Sequence, residues 1–150
     1  MVITERTRWE TIDTSTKEGL REIDRAIAER LGWKAVIGNN DGDYFIVDPQ
    51  GKQYATAMQA RTPERAWHCV LNISYWSIPR WSAQEQKALS LVEPTGLEFS
   101  MGINMGMDVH NRWWAQFNSH DCNSCANAPT PALAICEAWL LAWDAAHADA

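Results

Sequence analysis

A chain of 150 residues is the length of about one domain and can bury roughly 70% of the surface its unfolded form exposes. Its net charge of −6, from 19 acidic against 13 basic residues, excludes broad binding to phosphate backbones, which needs clustered Lys and Arg. The 46% hydrophobic and 21% charged fractions are those of a globular protein, and no apolar run reaches the roughly 18 residues that a membrane span requires.

Residues 1–14 read as a loose lead-in from which Trp9 and Ile12 can dock on the body. The lead-in lacks an apolar signal core, so a cytoplasmic protein is expected, with its four cysteines mostly reduced. Ser15-Thr16-Lys17-Glu18 has capping-box spacing, with the Ser15 hydroxyl facing the Glu18 amide. Leu20, Ile23, Ile27 and Leu31 then recur at helical spacing and Gly32 is a natural stop, which predicts a helix from about Thr16 to Leu31. Arg21, Arg25 and Arg30 alternate with Glu18, Glu22, Asp24 and Glu29, as on a solvated helix face.

A short strand is expected over Trp33–Ile37 and another over Tyr44–Val47, separated by the turn cluster Gly38-Asn39-Asn40-Asp41-Gly42. Asp48-Pro49-Gln50-Gly51 is a turn, and Lys52–Ala57 returns as the partner strand of a hairpin. Asp41 and Asp43 lack the spacing and closing Glu of a calcium loop. Thr62-Pro63-Glu64 opens a second helix with Trp67, Val70, Leu71 and Tyr75 on its inner face, ended by Ile78-Pro79-Arg80. Ser82-Ala83-Gln84-Glu85 repeats the capping-box spacing and predicts a short helix to about Val92.

Leu97, Phe99 and Met101 alternate with polar or small residues as in a strand with one wet face. A bend at Met105–Asp108 and a strand over Trp113–Phe117 close a second hairpin, followed by a polar loop. Thr130 caps and Pro131 begins the last helix, on which Ile135, Cys136, Trp139, Leu140 and Trp143 share a face widened by Leu133 and Leu141. The expected class is α+β: one domain over 15–147, with an antiparallel sheet of four to five strands from two hairpins and helices on both faces.

Two stretches carry candidate chemistry. Tyr75, Trp76, Arg80 and Trp81 lie within seven residues around Pro79, and Tyr, Trp and Arg dominate binding hot spots and stack on bases. This segment is either a binding surface or a tucked-in loop. His120, Cys122 and Cys125 form the second group, a Cys-x-x-Cys preceded by a histidine. Such thiolates can hold zinc when further ligands, drawn from His68, Cys69 or His110, complete a tetrahedron; otherwise they are a dithiol or incidental. Cys69 and Cys136 fall on apolar helix faces and read as small buried hydrophobes. The nine tryptophans serve the core, with some left for a binding surface.

The helix Leu20–Leu31 ending in Gly32-Trp33, the helix around Ala66-Trp67, and Trp113-Trp114-Ala115-Gln116-Phe117 followed by Thr130-Pro131-Ala132-Leu133-Ala134-Ile135-Cys136 together resemble the phage ABA sandwich domain family. The resemblance covers residues 18–145, with 77–93 longer than the family pattern. It implies a sheet between helical layers and a phage or prophage habitat, and brings no established reaction. With no catalytic constellation in the sequence, the expectation is a non-enzymatic protein that needs no cofactor and acts in the host cytoplasm. It would bind a host protein or a small nucleotide-like ligand and block or sequester a component of host defence. No membrane partner is expected, and a homo-oligomer is compatible with the sequence. The alternative is a zinc-bound or thiol-active protein built on His120, Cys122 and Cys125.

Overall fold

The computed structural model describes residues 7–38, 42–54, 60–72, 78–106, 108–118 and 123–148, with Asn123 described by its backbone alone. They fall into two compact units, Met1–Pro79 and Arg80–Ala150.

In the first unit, helix α1 (Lys17–Leu31) is capped one residue later than the sequence spacing predicts: Thr16 Oγ1 accepts from Gly19 N at 2.9 Å. Ser15 instead donates both N–H and hydroxyl to Asp13 Oδ1, an Asx-type turn that competes with capping. Gly32 ends the helix at φ 105°, and the Trp33 amide reaches back to the Ala28 carbonyl at 2.9 Å. That left-handed cap favours a residue without Cβ. Strands β1 (Lys34–Ile37), β2 (Tyr44–Val47) and β3 (Gln53–Tyr54) form an antiparallel meander in the order β1-β2-β3. The turn before β3 is held by Asp48, whose Oδ1 accepts from the amides of Gln50 and Lys52, both at 2.9 Å. Helix α2 (Pro63–Asn72) packs on β1, β2 and α1, burying Ala66, Trp67, Cys69, Val70 and Leu71.

Of the charged residues expected on a solvated face of α1, Glu18 and Glu22 are exposed, and the others are drawn inward. Arg21 and Asp24 are buried, and their ion pair closes at 2.7 Å. Arg25 reaches α2, donating to both Glu64 oxygens at 2.6 and 2.7 Å while its guanidinium lies 5.0 Å from the centre of the Trp67 ring. Burial disfavours the charged form of Arg25, yet Glu64 and Glu29 outweigh it and its pKa is raised. Glu29 Oε1 accepts from the Thr7 amide and Arg30 donates to the Thr7 carbonyl, so the lead-in is fastened from Thr7 onward. Trp9 is accordingly buried.

The second unit repeats the plan: a helix, a three-stranded meander and a closing helix. Helix α3 (Glu85–Leu89) is short, and its N-cap is Gln84 without a side-chain bond; Ser82, expected to cap, is buried. Strands β4 (Glu98–Ile103), β5 (Trp113–Asn118) and β6 (Asn123–Ala128) are antiparallel in the order β4-β5-β6. Helix α4 (Pro131–Ala146) begins as predicted, with Thr130 Oγ1 accepting from Leu133 N at 3.2 Å. Thr62 does the same for Arg65 N in the first unit, also at 3.2 Å, and the alanine four residues after each threonine, Ala66 and Ala134, is fully buried.

The fold is therefore α+β with antiparallel strands, but the described strands form two three-stranded sheets and not one of four to five. The described strands of the two predicted hairpins do not pair with each other, and β6, expected as a polar loop, adds a third strand to the second sheet. Ser124, Ala126 and Ala128 alternate with the exposed Cys125 and Asn127, and those small buried side chains let α4 lie close against β5 and β6. Ala115, Phe117, Leu133, Ile135, Cys136 and Leu140 complete that core.

Candidate functional site

One side chain of α1 reaches backbone carbonyls both at the end of α2 and just before Pro79. Arg21 Nε donates to the Leu71 carbonyl at 2.6 Å, in the last turn of α2, and Nη2 donates to the Ile78 carbonyl at 3.0 Å. The end of a helix leaves carbonyls without intrahelical partners, and a guanidinium with five N–H groups in a fixed fork can serve several at once. Arg21 thus ties the residue before Asn72 to the residue before Pro79, while Asp24 neutralises its charge from within α1.

Tyr75 and Trp76 lie outside the described residues. Arg80 is exposed, and its carbonyl accepts from the amides of Ala83 and Gln84 at 3.1 and 2.9 Å, which fixes the turn that presents it. Trp81 is only 5% exposed. The expectation that its ring is a surface contact is corrected: adjacent to an exposed arginine, it is a buried anchor. Trp9, Trp33, Trp67 and Trp139 are buried as well, whereas Trp113, Trp114 and Trp143 are half-buried. The core reading holds for most of the described tryptophans.

His120 and Cys122 also lie outside the described residues. Cys125 is an exposed thiol on β6 opposite Gln116, in a strand and not in the polar loop first expected. Among the described residues no three His, Cys, Asp or Glu side chains gather as metal ligands would. Cys69 and Cys136 are buried, as their helix positions predict.

Sequence patterns did not single out Glu137. It lies in α4 between Cys136 and Ala138, both buried, and burial raises its pKa from 4.5 to about 7. It makes no ion pair or hydrogen bond with another described residue. A carboxyl in the middle of the most apolar helix was the available signal, since such a group is rarely buried without a partner.

No protein-family model matches the chain, and no curated protein does either. Among solved structures it is similar to a phage protein from Bacillus cereus ATCC 14579, at 15% sequence identity and a TM-score of 0.53. The match covers 86% of this chain and 94% of that one, so the two share a fold across nearly their whole lengths. No helix among the described residues is long and apolar enough to cross a membrane.

Proposed function

We propose that this chain is a phage or prophage accessory protein of the ABA sandwich type, without catalytic activity of its own, that binds a component of the bacterial host. It acts in the host cytoplasm as an inhibitor or sequestering factor directed at host defence. The observation that supports this most is the fold shared with a phage protein over 86% of the chain. The contact residues are Arg80, which is exposed, with Tyr75 and Trp76; Trp81, which is buried, is left out of the contact set. Arginine suits this role because its planar fork pairs with carboxylate or phosphate and stacks on rings.

The test is affinity capture from host lysate with the tagged chain and with a Tyr75→Ala/Trp76→Ala/Arg80→Ala variant. A specific host protein should be lost from the variant while its melting temperature stays within a few degrees of the parent. A small nucleotide-like ligand would show instead as a melting shift of the parent alone, because a ligand that binds only the folded state stabilises it by mass action. Equal capture, or an equal shift, by parent and variant removes these residues from the contact. The thiol or zinc alternative has the exposure of Cys125 in its favour. Zinc near one equivalent in protein purified without chelator, lost in Cys122→Ser, would establish it; zinc far below that would end the metal form.

A further inference from the structure

The two faces of the β4-β5-β6 sheet differ in chemistry. α4 packs over the side that carries Ala115, Phe117, Ala126 and Ala128. The strand register sets Gly102, Trp114 and Asn127 in one row across the opposite side. That side is open: Ser100, Cys125 and Asn127 are exposed, and Trp114 and Gln116 are half-buried.

Gly102 and Trp114 make a flat seat. A Cβ on Gly102 would come within 2.8 Å of Trp114 Nε1 and 3.0 Å of Cε2 and Cζ2, so the indole lies directly across the β4 backbone. Any side chain there would lift it. The amides at the neighbouring register positions of this face are already turned by their own partners. Asn127 Oδ1 accepts from Asn104 Nδ2 at 2.7 Å, and Gln116 Nε2 donates to Asn118 Oδ1 at 2.8 Å. Each amide has spent one end. Asn127 keeps its Nδ2 donor and Gln116 its Oε1 acceptor, and neither atom bonds another described residue. They flank Trp114 across the strands and along its own strand, at separations of about 5 and 7 Å for such positions.

The geometry points to a binding site for a neutral sugar. The C–H face of a pyranose carries the weak positive charge that the negative face of an indole attracts. Vicinal hydroxyls are both donors and acceptors, which matches one fixed donor and one fixed acceptor beside the ring. The strands themselves offer nothing to an anion: none of the three carries a Lys or Arg, Glu98 is exposed on the same face, the net charge is −6, and the cation nearest in sequence, exposed Arg112, precedes β5. Because the amides are held before a ligand arrives, little ordering entropy is lost on binding. None of these residues belongs to the host-contact set, so the inference stands or falls separately.

The experiment is an NMR titration of the full chain with maltotriose, cellotriose and the trimer of N-acetylglucosamine. An open face with one stacking ring should give a Kd on the order of 1 mM. The Trp114 indole N–H and the Asn127 and Gln116 side-chain amides should move on one saturating curve for at least one sugar. Trp114→Ala should abolish the effect, and Gln116→Ala, which leaves the ring seated, should weaken it about tenfold. The site is refuted if no sugar moves these signals at millimolar concentration, or if Gln116→Ala changes nothing. Adenosine monophosphate moving them at lower concentration than any sugar would refute the ligand class.

Discussion

Arg21 Nη1 and Asp24 Oδ2 stand 2.7 Å apart in the interior of the first unit, with side-chain exposures of 5% and 0%. A buried pair of this kind is a weak source of net stability but is costly to break from one side, because the remaining charge is left uncompensated. Arg21→Met should therefore destabilise the chain by about 3–5 kcal/mol, since it removes the cation paired with buried Asp24 and also releases the Leu71 and Ile78 carbonyls. The double variant Arg21→Met/Asp24→Leu should recover part of that loss. Urea unfolding of the four proteins in a double-mutant cycle gives the coupling; purely additive losses would mean that the pair acts as two independent groups.

The same arginine shows where sequence pattern stops being informative. The spacing of Leu20, Ile23, Ile27 and Leu31 located α1, and Thr130-Pro131 with its apolar face located α4, because caps and periodicity are local properties. Whether a charge between those apolar positions meets water is a non-local question. For Arg21 it was decided by carbonyls 50 and 57 residues further along the chain. β6 was missed for a related reason. Asn-Ser-Cys-Ala-Asn-Ala has low strand propensity, and its alternation of small residues gains meaning only once α4 lies on it. In the candidate site the exposure of Arg80 and the burial of Trp81 could not be told apart from sequence, since a residue beside a turn has the same local sequence whether it anchors the turn or projects from it.

Gly19 offers a sharper check on the α1 entrance. Replacing a glycine by alanine inside a helix ordinarily stabilises it by roughly 0.5–1 kcal/mol. Here the opposite is expected, because a Cβ at Gly19 would run into the Asp13 backbone carbonyl and sit 3.0 Å from Thr16 Oγ1. The same carbonyl accepts from Thr16 Oγ1 at 3.2 Å, so moving it away disturbs the cap as well. Gly19→Ala should cost about 1–3 kcal/mol, as overpacking does. A variant as stable as the parent would show that the lead-in does not press on α1 in solution.

Glu137 makes stability depend on pH in a direction unusual for a carboxylate. Its folded pKa of about 7 lies above the 4.5 of the free group, because burial in α4 penalises the charged form. Between those two values the folded chain binds more protons than the unfolded chain, so stability falls as pH rises from about 4.5 through about 7, and the penalty is complete above that. Part of the carboxyl meets solvent, which reduces the cost to on the order of 1–2 kcal/mol. Glu137→Gln keeps the shape and removes the titration. At pH 8 it should be more stable than the parent by that amount in urea unfolding, and near pH 4, where the parent carboxyl is protonated in the folded state, the difference should vanish. A variant that is equally or less stable at pH 8 would mean that the ionised Glu137 has found compensation that outweighs its burial.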